Sequence, residues 1–134
     1  MSIQNPKQKS QNYNQKAKTD LKQRTYEYSL ELIKFIDKLP KDFSSQIIAK
    51  QLLRSSTSIG ANIIEAHGSN GRKDFANFFT YALKSANETK YWLGLLRDSK
   101  KAPKENIEVL LKETIELANI LAASLITIRG KKTF

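Results

Sequence analysis

The residues of this chain best suited to chemistry gather near its middle. Glu65 and His67 could bind a metal or move protons, and Ser55, Ser56 and Ser58 carry hydroxyls that could act as nucleophiles. Their numbers and spacing argue against each role. A di-iron site in a helical bundle takes about four carboxylates and two His, usually as Glu-x-x-His on two helices, and this chain has 1 His. Glu65 and His67, two residues apart, point in different directions on a helix. A serine nucleophile needs a positioned base, and no Ser-x-x-Lys pattern offers one. Gly68-Ser69-Asn70-Gly71 lacks the Lys and Ser/Thr of a phosphate-binding loop. With Cys absent, thiolate catalysis, disulfides and zinc–thiolate sites are excluded. The expectation is a non-enzyme without cofactor or metal. His67 then reads as a helix-end residue interacting with terminal carbonyls.

The elements that carry these residues turn on one segment, Arg54 to Ser69, whose front half is serine-rich. With Ile48 as zero on a wheel of 100° per residue, Leu52, Ile59, Ile63 and Ala66 fall within about 60° of it. The apolar phase agrees on both sides of Gly60, so the spacing predicts one helix from about Ser44 to His67. Gly60 costs that helix about 1 kcal/mol relative to Ala. Ser55, Ser56, Ser58, Gly60 and Ala61 are small enough to let a neighbouring helix approach closely. Asp42 or Ser44 can cap its start, and Gly68 offers a left-handed cap at its end.

Three further helices follow from the same periodicity. The first runs from about Leu21 to Leu39, with Tyr26, Leu30, Ile33 and Ile36 or Phe35 on its buried face, and stops at Pro40. The third runs from about Arg72 to Ser99, with a core stripe from Phe75, Phe78 and Phe79 through Ala82, Leu83 and Ala86 to Leu93 and Leu96. The fourth runs from about Pro103 to Arg129, where Gly130 ends it. Its apolar face is Ile107, Leu110, Leu111, Ala118, Leu121, Leu125 and Ile128. Pro103 suits a first helical turn. The predicted fold is all-α, an antiparallel up-down-up-down four-helix bundle over residues 21–129. A basic amino-terminal arm (1–20) precedes it and a short basic tail (130–134) follows. No apolar run is long enough to span a bilayer and no signal peptide is visible at the start, so a cytoplasmic protein without membrane contact is expected.

The formal net charge is +10 on 134 residues, which would concentrate an anionic partner at the surface. Candidate phosphate contacts are Lys50 and Arg54, one turn apart on the second helix, Arg72 and Lys73 at the start of the third, and Lys100 and Lys101 at its end. An ordinary solvated helix face carries such residues too.

Some apolar surface is left after one core stripe per helix is filled. Tyr81, Trp92 and Leu95 lie together on the third helix with Glu88 between them, and Leu53 and Ile64 widen the stripe of the second. These six are the candidate oligomer or partner interface, because aromatic residues are enriched there. Alternatively, the rings pack over neighbouring helices of one subunit. Asn62, Ser55 and Glu88 lie beside the buried stripes, where burial would require hydrogen bonds that fix helix register.

The run Arg54-Ser55-Ser56, Ser58-Ile59-Gly60-Ala61-Asn62-Ile63-Ile64-Glu65, then Gly68, Lys73-Asp74-Phe75, Phe79, Ala82-Leu83, Ser85 and Glu88 resembles the bacterial 23S rRNA intervening-sequence proteins. Its centre is Ser-Ile-x-x-Asn-Ile-x-Glu, and the likeness covers about residues 21–129. Here Ala66 follows Glu65, where the family usually has Gly. The resemblance implies a closed homopentamer, as in the similar accessory protein of diversity-generating retroelements, and a connection to RNA; it brings no catalytic residues. Two functions remain open at this point. One is electrostatic binding of structured RNA or DNA by an oligomeric basic bundle. The other is a protein-interaction adaptor that docks a polymerase or ribosomal factor on the aromatic face.

Overall fold

A computed structural model describes residues 20–130, so the arm before Asp20 and the tail after Gly130 lie outside the described residues. Four helices follow in order: α1 (Leu21–Asp37), α2 (Phe43–His67), α3 (Gly71–Asp98) and α4 (Lys104–Gly130). The serine-rich middle is continuous helix through Gly60. Asp20 belongs to the bundle rather than to the arm, since its carboxylate accepts the Gln23 N–H and caps α1. Of the two possible caps for α2, Asp42 does the work, accepting the N–H of Ser45. Pro103 sits just ahead of α4, and its carbonyl takes the Ile107 N–H at 3.2 Å.

Helix directions follow from paired side chains. Ser55 meets Thr89, Ser58 meets Ser85 and Arg54 meets Glu88. From Ser55 to Ser58 the partner moves back from Thr89 to Ser85, so α2 and α3 run antiparallel. Arg97 reaches Glu108 while Arg129 reaches Thr80, so α3 and α4 do the same. Leu52, Ile59, Ile63, Ala82, Leu93, Leu96, Leu117 and Leu121 are fully enclosed along the bundle axis. Burying each such Leu or Ile is worth about 1.5–3 kcal/mol.

Three expectations are corrected. The first concerns α1, which carries two apolar stripes. The structure buries Tyr28, Leu32 and Leu39 and leaves Tyr26, Leu30 and Ile33 at 64%, 44% and 39% exposure. Small groups decide the rotation. Thr25 is the side chain that Gly60 admits, and the Tyr28 hydroxyl finds the buried Thr114 hydroxyl. Periodicity reports that a stripe exists, but not which of two stripes meets partners that fit. The second concerns Gly68, which is not left-handed. Its φ is −94° and its N–H bonds the carbonyls of Ile64 and Glu65. The left-handed backbone comes at Gly71 (φ +81°), where the turn enters α3. The third concerns the partners of His67, which closes the last turn of α2 as expected but packs its ring edge-on against Phe75 and Phe79 at 5.3 and 6.5 Å between centroids.

Candidate functional site

The seam between α2 and α3 is built from small hydroxyl residues. Thr89 Oγ1 lies 2.9 Å from Ser55 Oγ and 2.8 Å from the Ser85 carbonyl oxygen. One turn along, the Ser85 hydroxyl donates to Ser58 Oγ, and the Asn62 amide donates to the Ser58 carbonyl and hydroxyl. Ser55, Ser56 and Thr89 are fully buried, and pairing their hydroxyls removes the penalty of burying them bare. On the other flank of α2, a Cβ on Gly60 would stand 3.1 Å from Thr25 Oγ1. Any larger side chain there would push α1 away.

The candidate interface residues divide between two faces. At 100° per residue, Leu53 and Ile64 lie within about 40° of Gly60, on the α1 side of α2. Leu53 is 40% exposed and Ile64 53%, beside the exposed Tyr26 and Ile33 of α1. Tyr81, Glu88 and Trp92 lie on the α2 side of α3. There the Arg54 guanidinium pairs with the Glu88 carboxylate, and the same carboxylate accepts the Trp92 indole N–H at 2.9 Å. Trp92 packs against the core and Leu95 is half-buried. Tyr81 stays exposed, as does Tyr91 about three turns further along α3.

The candidate phosphate contacts do not form one patch. Arg72 and Lys73 open α3 and Lys100 and Lys101 follow its end, which places the pairs about 40 Å apart along a 28-residue helix. Two of the six are engaged. Arg54 is held by Gln51 and Glu88, and the Lys101 ammonium bonds the Asp42 carboxylate at 3.0 Å. Hydrogen bonds from Ser45 and Lys101 hold the Asp42 carboxyl well below the usual carboxylate range. Lys50, Arg72, Lys73 and Lys100 pair with no acidic group among the described residues. Bundle residues 20–130 hold all 13 acidic residues and 17 of the 23 basic ones, so six of the ten surplus charges belong to Lys7, Lys9, Lys16, Lys18, Lys131 and Lys132.

Sequence reasoning missed a second polar site. Arg24 of α1 reaches across to α4 and grips Glu113 at 2.7 Å through both Nε and Nη2, with Nη2 also 2.7 Å from Glu116. These bonds outweigh partial burial and raise the Arg24 pKa further. Apart from these bonds and the buried Tyr28–Thr114 hydroxyl pair, α1 and α4 approach each other little, and a cleft of about 800 Å³ opens between them. Tyr28, Leu110, Val109 and Ile120 form its apolar floor, and Glu27, Glu31, Glu113 and Glu116 its rim. The three-residue spacing of Glu113 and Glu116 shows they share a face of α4, but nothing in the sequence names Arg24 as their partner. Among the described residues, no three His, Asp or Glu side chains are grouped to hold a metal. No described helix is long and apolar enough to cross a membrane.

An antiparallel four-helix bundle with a hydroxyl-lined central seam defines the class of protein. The 23S rRNA-intervening sequence protein model matches residues 17–123, and the chain belongs to that family. It is similar to a crystal structure described as a protein of unknown function from the S23 ribosomal protein family of Bacteroides thetaiotaomicron VPI-5482. The two share 36% identity and a TM-score of 0.72, over 78% of this chain and 96% of that one. No functionally curated protein matches the sequence.

Proposed function

We propose that the chain is a non-enzymatic, oligomeric basic bundle that binds structured RNA or other nucleic acid through its phosphates. The observation that carries this reading is the distribution of charge. Lys50, Arg72, Lys73 and Lys100 are among the bundle cations that lack an acidic partner among the described residues, and six more basic residues lie in the terminal segments. The description of the matched family, an rRNA-intervening sequence protein, agrees in direction. Two clusters about 40 Å apart suit a ligand that runs along the bundle or across several copies.

The self-associating part of the reading rests on the apolar strip of Tyr26, Ile33, Leu53 and Ile64, exposed between α1 and α2. Such a strip is costly to leave in water. A pentamer is the assembly the family resemblance implies. The adaptor reading draws on a different observation, two exposed rings on α3: Tyr81, edge-on to Phe78, and Tyr91, edge-on to Trp92. Binding of a structured ribosomal RNA fragment, titrated across salt, tests the proposal. Affinity should fall steeply with salt, and Arg72→Gln with Lys73→Gln should reduce the slope by about 2 per protomer engaged. Undetectable binding at low salt sinks the nucleic-acid reading and leaves the adaptor.

A further inference from the structure

We propose that the end of the bundle where the α1–α2 loop meets the α3–α4 loop is a stacking platform for an unpaired nucleobase. The base lies on the ring of Phe43, and its flanking phosphates meet Lys38, Lys41 and Lys100. The inference rests on the nucleic-acid reading above and deepens it, naming single-stranded rather than paired nucleic acid as the partner of this end.

Exposure singles out the ring. Phe43 opens α2 and is 83% exposed, more than any other large apolar side chain among the described residues. Ile47, about one turn on, is half-exposed on the same side of the helix. A ring so placed offers a free π-face, and every nucleobase offers one in return.

The backbone beneath the ring is fixed at several points. Leu39 is buried and anchors the loop. The Gln46 amide donates to the Lys41 carbonyl at 2.5 Å. The Asp42 carboxylate accepts both the Ser45 N–H and the Lys101 ammonium, and the second bond ties the α1–α2 loop to the turn after α3. A ring displayed from a preorganised backbone costs a ligand less ordering entropy.

Charge selects the partner. Lys38, Lys41 and Lys100 are exposed and pair with no acidic group among the described residues. Two carboxylates of this end are already engaged, Asp42 by Lys101 and Asp98 by Arg97. Asp37 and Glu105 are then left against Lys38, Lys41, Lys100 and Lys104, a positive surplus. Lys100 also holds the left-handed position (φ +60°) of the turn that closes α3, where its N–H bonds the Arg97 carbonyl and the Lys101 N–H bonds that of Leu96. Glycine suits that backbone best, and this chain carries a cation there instead.

An RNA hairpin with a uridine loop and a blunt RNA duplex of equal length, each titrated at several salt concentrations, test the platform. Phe43→Ala should weaken hairpin binding about tenfold and leave duplex binding unchanged. Phe43→Tyr should restore the hairpin affinity. The Phe43→Ala loss should persist at high salt, because stacking is not screened, whereas Lys41→Gln with Lys100→Gln should lower the salt slope by about 1–2. Thermal melts of Phe43→Ala should match wild type, since so exposed a ring adds little to the core. Equal hairpin affinity in wild type and Phe43→Ala, with Arg72→Gln and Lys73→Gln still weakening it, overturns the platform and leaves the nucleic-acid reading standing. Failure of the wild type to bind either RNA removes both. A Phe43→Ala loss seen only on vesicles of anionic phospholipid assigns the surface to a membrane and overturns the proposal.

Discussion

The α2–α3 seam and the α1–α4 cleft lie in one bundle and are held by opposite means. At the seam, Ser55, Ser58, Ser85 and Thr89 replace bulk with short hydroxyls, and the helices close until those hydroxyls meet at 2.9 Å. At the cleft, a long Arg24 side chain spans the gap to Glu113 and Glu116, and about 800 Å³ stays open beside it. Side-chain length sets helix separation, and separation decides whether a face becomes core or becomes a surface that can receive a partner. The closed side therefore has little tolerance for added volume, whereas the open side has room.

That contrast can be broken most forcefully by adding bulk. Gly60→Leu, on the tight flank of α2, should lower stability by about 1–3 kcal/mol because its side chain meets Thr25. Val109→Leu, in the cleft, should change it by less than about 0.5 kcal/mol. Urea denaturation of both variants reads the difference, and equal effects would mean that α1 gives way as freely beside α2 as it stands off from α4. A smaller effect probes the seam's polarity. Thr89→Val leaves the buried Ser55 hydroxyl with only a long 3.4 Å contact to the Leu52 carbonyl, at a cost of about 1–2 kcal/mol. Adding Ser55→Ala should recover most of that loss. A double mutant as weak as the single would show that shape, not hydrogen bonding, closes the seam.

The smallest expected effect is a pH dependence at the end of the seam. Burial, with help from the Lys22 charge, holds the His67 imidazole below its ordinary value of 6.5. The unfolded chain therefore takes up a proton more readily than the fold does. His67 favours folding least in acid, and stability should decline as pH falls from 7.5 to 5.5. His67→Phe, next to Phe75 and Phe79, should flatten that decline. An unchanged slope would place its origin elsewhere.

Much of the fold could be read from the chain. Continuous phase across Gly60 correctly made α2 a single helix, and small residues at 55, 56 and 60 foretold close packing, since helical period and side-chain volume are local properties. The rotation of α1 could not be read in this way. Tyr26-Leu30-Ile33 and Tyr28-Leu32 are both apolar stripes, and the choice depended on Thr25 and Tyr28 finding Gly60 and Thr114 on other helices. Nor could the sequence say which neighbour each candidate interface residue faces: Leu53 and Ile64 lie on the α1 side of α2, whereas Tyr81 and Trp92 lie on the α2 side of α3.

Sequence by itself determined that this protein is four amphipathic helices with surplus positive charge, because hydrophobic period, capping residues and net charge are properties of the chain in order. Tertiary structure alone decided which stripe of α1 faces inward, that Arg54 and Lys101 spend their charge on Glu88 and Asp42, and that α1 and α4 part to form an acid-rimmed cleft. Those outcomes depend on pairs of residues up to 92 positions apart, which meet only once the helices have packed.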